Sequence, residues 1–112
     1  EIPLRLVGSE MCIRDRDFAR LVSLDFREPD RSRFPSLDFA YHAMRIGGTM
    51  TAAMNAANEI AVDKFRRGEI GFAAIWTIIE KTMDAHRAEP QSDLAAIRDA
   101  DRRAREFASQ LH

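Results

Sequence analysis

Thr51-Ala52-Ala53-Met54-Asn55-Ala56-Ala57-Asn58-Glu59-Ile60-Ala61 is rich in the best helix-forming residue and free of Gly and Pro. The stretch predicts a helix from about Thr51 to Arg67, stopped by Gly68. Met54, Asn58, Ala61 and Phe65 share one face of it, with Ala57 and Ile60 beside them. The small residues Ala52, Ala53, Ala56, Ala57 and Ala61 let another helix or a loop approach closely. A helix built this way needs neighbours, and the flanking sequence supplies them.

Upstream, Pro35 stands where a first-turn residue needs no N–H, and a helix is expected from about Pro35 to Arg45. Its stripe is Leu37, Ala40, Tyr41 and Met44, and Gly47-Gly48 ends it. Downstream, Phe72, Ile75, Trp76, Ile79 and Met83 mark a third helix from about Ala73 to Ala85. After Pro90 a fourth follows, with Ser92 as the expected cap and a stripe of Leu94, Ile97, Asp101, Ala104, Ala108 and Leu111. Trp76 and the methionines Met44, Met50, Met54 and Met83 are expected to fill core gaps. No strand–helix alternation and no internal repeat is visible. The expected fold is all-α, a small helical bundle of about four helices with a short extended N-terminal linker.

The domain division follows. Residues 35–112 form the bundle. Residues 17–34 form a linker in which Leu24-Asp25-Phe26-Arg27 alternates and Pro29-Asp30 turns. Residues 1–16 show no sustained period. Their end, Ser9-Glu10-Met11-Cys12-Ile13-Arg14-Asp15-Arg16, resembles a translated sequencing adapter, so this lead is expected to be non-native.

The composition of the 112 residues is globular, with 46% hydrophobic and 31% charged side chains. The net charge is −1, and the signs alternate closely, as in Arg98-Asp99-Ala100-Asp101-Arg102-Arg103. Such mixing cancels the long-range field that a nucleic-acid binder needs, so no nucleic-acid partner is expected. No apolar run is long enough for a bilayer, so no membrane partner is expected either. The single Cys12 excludes a disulfide within the chain, which suits a reducing compartment, and the cytoplasm is the expected location.

The search for chemistry returns no catalytic, cofactor-binding or metal-ligating residue. His42, His86 and His112 lie on separate segments without a converging ligand set, and all three are expected at the surface. No nucleophile elbow, phosphate-binding glycine loop or dinucleotide fingerprint is present. Four polar residues stand out instead as a structural signature: Asn55, Asn58, Glu59 and Asp101. Asn is a mediocre helix former, so Asn55 and Asn58 inside an Ala-rich helix need partners, and Glu59 lies four residues from Asn55 on the same face. They form either a polar ligand site or a buried clamp on a neighbouring loop. The clamp is favoured because neither a cation nor a nucleophile accompanies them. Asp101, a carboxylate on a core stripe, calls for an ion pair or a backbone bond.

These residues also carry a resemblance. Leu24-Asp25-Phe26-Arg27-Glu28-Pro29-Asp30, then Arg33-Phe34-Pro35-Ser36-Leu37-Asp38-Phe39-Ala40, precede Gly47-Gly48 and Asn55-Ala56-Ala57-Asn58-Glu59-Ile60-Ala61-Val62. With Phe65, Ile70-Gly71-Phe72, Ile75 and Asp101-Arg102-Arg103-Ala104-Arg105, this order is similar to the C-terminal domain of the 1-deoxy-D-xylulose 5-phosphate reductoisomerase family. The likeness runs from about Asp17 to Ser109, and Asn-Ala-Ala-Asn-Glu is its most specific motif. Ser36, Ala74 and Arg66 depart from the residues usual in the family, and residues 1–16 do not resemble it.

The resemblance implies a parent enzyme that converts 1-deoxy-D-xylulose 5-phosphate to 2-C-methyl-D-erythritol 4-phosphate in non-mevalonate isoprenoid biosynthesis. That enzyme uses NADPH and magnesium or manganese and works as a homodimer. Its catalytic and cofactor-binding residues lie upstream, so none is carried onto this chain. The segment is expected to brace the catalytic domain of its parent chain and to be inactive alone. A standalone helical protein-interaction module is the alternative. A complete small enzyme is set aside because no site constellation is present.

Overall fold

A computed structural model describes residues 25–112. The lead at residues 1–16 and the first part of the linker lie outside the described residues. Residues 25–30 carry no regular structure, in keeping with a short linker. A turn follows, held by Asp30: its carboxylate accepts from the Ser32 hydroxyl at 2.6 Å and from the Ser32 and Arg33 N–H groups at 3.1 and 3.2 Å. Asn, Asp and Ser close turns this way because short polar side chains reach their own backbone.

Among the described residues there are four helices: α1 (Ser36–Ile46), α2 (Met50–Arg66), α3 (Ala74–Ala85) and α4 (Leu94–Gln110). Pro35 precedes α1 and offers no cap bond, and Asp38 in the first turn complements the helix dipole. Gly47 and Gly48 follow with φ of 70° and 53°, a conformation L side chains resist, and swing the chain into α2. Asp93, not Ser92, caps α4, accepting from the Ala96 N–H at 2.8 Å. The helix starts one residue later than expected, which puts Asp93 in the capping position.

α2 is the central helix and packs on all three others. Toward α3 it meets a row of bulky side chains, Ile75, Ile78, Ile79 and Met83. Burying each of these is worth about 1.5–3 kcal/mol. Toward α4 it presents Ala53 and Ala56 to Ala104, while Ala57 and Ala61 join Ala108 in the main core. Small side chains let the two axes close up, and the contact gains through dispersion between backbones.

Several stripes differ from expectation. In α1 the expected core residues Leu37, Tyr41 and Met44 face outward; Ala43 is buried and Phe39 packs on the core. In α2, Asn58 and Phe65 are exposed, and the buried line runs through Met50, Ala53, Ala57, Ala61 and Lys64. Phe72 lies ahead of α3 and is exposed, and within the helix Ile78 and Thr82 join the expected Ile75, Ile79 and Met83. In α4 the line is Ala100, Ala104 and Ala108, and Leu94 stays outside. The cause is common to α1, α2 and α4: alanines form the close helix contacts, and larger apolar groups stand outside them.

Candidate functional site

The polar residues gather in three places, each joining two elements. The first lies between α2 and α4. Asn55 donates to Glu59 Oε1 at 3.1 Å, one turn away. Glu59 Oε2 accepts from Arg105 at 2.6 Å, and the same guanidinium donates to Asp101 at 2.7 Å. Arg105 thus serves a carboxylate on its own helix and one on α2. Asp101 holds Arg105 further into its charged form, with Glu59 adding to the effect. Arg105 in turn, with Asn55 behind it, lowers Glu59 below the usual carboxylate range.

Three of the four signature residues therefore meet through Arg105, which the sequence offered only as part of the family motif. Asn55, Asn58 and Glu59 are exposed, so they do not form a buried clamp on a loop. Their exposure follows from the Ala faces on either side, which take up the buried arc of α2. Asn58 stands on the surface beside them and is not joined to the bridge.

The second place is the turn between α1 and α2. Thr49 is fully buried. Its N–H donates to Glu89 O at 2.9 Å, its Oγ1 accepts from Glu89 N–H at 3.0 Å, and the same Oγ1 lies 2.9 Å from His86 Nε2. Gln91 adds a bond to Gly48 O. The approach is so close that a Cβ on Gly48 would lie 2.3 Å from Glu89 O. The linker between α3 and α4 is thereby fastened to the start of α2. His86 is half-buried here rather than a surface histidine. Burial, and then the Arg103 charge, push its pKa below the ordinary value, with Glu89 opposing. Beside it Arg103 pairs with Glu89 at 2.9 Å, across a cleft of about 350 Å³. Thr82, Ala85, Arg87, Ala104 and Phe107 also line it.

The third place is the C-terminal end of α4. Lys64, almost wholly buried, donates from Nζ to Ser109 O at 2.6 Å and to Leu111 O. A helix ends with carbonyls that have no intrahelical donor, and Lys64 of α2 supplies one.

The polar groups of all three places already bond one another. Every buried side-chain polar atom among the described residues has a partner, so no orphaned donor or acceptor awaits a ligand. No three His, Cys, Asp or Glu side chains among the described residues converge at metal-ligand distance. Carboxylates that come together already share an arginine, Glu59 and Asp101 through Arg105 and Glu89 and Asp99 through Arg103. The described residues do not fit a magnesium or manganese site, and among them no glycine-rich turn leads a strand into a helix to cradle a dinucleotide. What the arrangement does is tie α2 to α4 and to the linker between α3 and α4.

The family model described as DXP reductoisomerase C-terminal domain matches residues 2–107. The 1-deoxy-D-xylulose 5-phosphate reductoisomerase of Heliobacterium modesticaldum is 48% identical over 94 residues, covering 84% of this chain and 24% of its own. The chloroplastic reductoisomerase of Oryza sativa subsp. japonica is 43% identical over 111 residues, 97% of this chain and 24% of its own. Among solved structures, the 1-deoxy-D-xylulose 5-phosphate reductoisomerase of Zymomonas mobilis in complex with NADPH superposes with a TM-score of 0.79. It is 42% identical, and the match covers 85% of this chain and 25% of that one. The chain spans about a quarter of the length of these relatives.

Proposed function

The chain belongs to the DXP reductoisomerase C-terminal domain family, and from that membership we propose that it is the bracing domain of a parent reductoisomerase. The parent converts 1-deoxy-D-xylulose 5-phosphate to 2-C-methyl-D-erythritol 4-phosphate with NADPH, a step of non-mevalonate isoprenoid biosynthesis. The observation that carries the reading is the likeness to an NADPH-bound reductoisomerase over 85% of this chain at 42% identity. NADPH and the magnesium or manganese ion belong, in this reading, to the part of the parent that precedes this domain. No described residue is assigned to hold either.

The domain's own work is mechanical. The Glu59–Arg105–Asp101 bridge, the Thr49–Glu89 fastening and the Lys64 cap tie helices distant in sequence into one body. A stiff body of this kind lets a neighbouring catalytic domain hold its geometry, which matters because a small misplacement of reacting groups costs rate steeply. The parent works as a homodimer and needs no nucleic acid or membrane. No helix among the described residues is long and apolar enough to cross a bilayer. We place the enzyme in the cytoplasm, or in the plastid of a plant host, since the rice relative is named chloroplastic.

The test is an absorbance assay on the full-length parent, given 1-deoxy-D-xylulose 5-phosphate, NADPH and magnesium or manganese. Consumption of NADPH by the parent, and none by the 112-residue chain, is the expected result. A parent that leaves NADPH untouched with either metal overturns the reading and favours the helical interaction module.

A further inference from the structure

α1 has two unlike sides. Phe39 and Ala43 turn inward, whereas Leu37, Tyr41 and Met44, at i, i+4 and i+7, form a row on the opposite side. Met44 is 70% exposed and Tyr41 47%, and Phe34, 49% exposed, continues the row ahead of the helix. Apolar groups lined up in this way mark a surface made to be covered. The outer side of α4 is the contrast. There Arg102 bonds both Asp99 and Glu106, and a lattice of i, i+3 and i, i+4 pairs suits water.

The chain leading into α1 indicates what covers the row. Arg31 donates to Asp38 at 2.6 Å and sets its guanidinium 5.8 Å from the centre of the Tyr41 ring. Asp38 borders the row and Tyr41 belongs to it, so the incoming backbone is hooked to the outer side of α1 rather than to an end of the bundle. Asp30 fixes the turn just ahead of that hook. Phe26, 88% exposed, lies further upstream on the same short tether.

We propose that the row Phe34, Leu37, Tyr41 and Met44 is the docking surface for the folded body of the parent chain that precedes this domain, with Arg31 as the hook that aims it. The inference rests on the reading of this chain as the last domain of a reductoisomerase. A second copy of the chain and an unrelated protein are the competing occupants.

Methionine oxidation by dilute peroxide, read by mass spectrometry on the full-length parent, tests it. Met44 is expected to oxidise about tenfold more slowly in the folded parent than in the urea-unfolded chain. A rate within about twofold of the unfolded chain overturns the docking surface. So does protection that vanishes when the parent is diluted to monomers, since a second copy would then be the cover. Met44→Lys supplies an independent reading. Met44 is exposed in the domain, so the bundle keeps its fold, but a charge enters the contact and the Tyr41 ring should gain hydroxyl-radical labelling. Unchanged Tyr41 labelling overturns the surface. NADPH consumption on the same samples separates the two readings. An active parent with a reactive Met44 removes the docking surface alone, and an inactive parent with a protected Met44 removes the function alone.

Discussion

Thr49 has one hydroxyl and meets three demands with its backbone and side chain: Glu89 O, Glu89 N–H and His86 Nε2. Thr49→Val keeps the shape and deletes the hydroxyl, leaving Glu89 N–H and the imidazole without a partner. A loss of about 2 kcal/mol in urea denaturation is expected, with Thr49→Ser closer to the parent sequence. A loss smaller than about 0.5 kcal/mol for Val would mean that water replaces the hydroxyl. His86 adds a pH dependence. Its folded pKa lies below the ordinary 6.5, so as pH falls through that value the unfolded chain takes up a proton first. Stability from this group is complete above 6.5, declines below it, and stops declining once folded His86 also protonates. Thermal melts of the protein and of His86→Gln between about pH 8 and about pH 5 should diverge on the acid side, the glutamine variant losing less. Neither residue announces this in the sequence. Thr49 meets partners 37 and 40 positions away, and a threonine after two glycines carries no local pattern.

At the scale of the helix, the Arg105 bridge can be separated into its halves. Asp101→Leu removes one carboxylate and leaves Arg105 paired with Glu59. Arg105→Leu leaves Asp101 and Glu59 facing each other without the cation between them. The arginine variant should therefore show the lower denaturation midpoint, and an equal or inverted order would sink this account. Asp101 was legible as a residue in need of a base, because a carboxylate on a buried stripe must be matched. The faces of the helices were less legible, for a physical reason. Periodicity is read from large side chains, yet close contacts between α2 and α4 are made by Ala53, Ala56 and Ala104. Alanine gives a weak hydrophobic signal, and Leu37, Tyr41 and Met44 give a strong one while pointing away from the bundle. Where a helix serves two contacts, the louder stripe can belong to the outer one. α3 serves mainly the inner contact, and most of its stripe was read correctly.

Taken as a whole molecule, the all-α bundle and the sequence of its four helices were readable from breakers alone: Gly47-Gly48, Gly68 and Pro90 punctuate it. What the sequence could not separate was surface meant for water from surface meant for another body. The 112-residue chain by itself should bind a hydrophobic dye, and Leu37→Lys with Met44→Lys should weaken that binding while the melting midpoint stays nearly unchanged. A dye signal that persists in the double variant would point to the exposed Phe72, set edge-to-face with Phe65 and Trp76, instead. The bond from Lys64 bears on time as well as on shape. Its acceptors, Ser109 O and Leu111 O, come 45 and 47 residues later in the chain. At a synthesis rate of about 5–20 residues per second, α2 spends seconds on the ribosome before the carbonyls that accept from its buried Lys64 exist. Until then, closing α2 into the core would strand a charge. Stable closure of α2 into the core is therefore expected only once the last turn of α4 has been made.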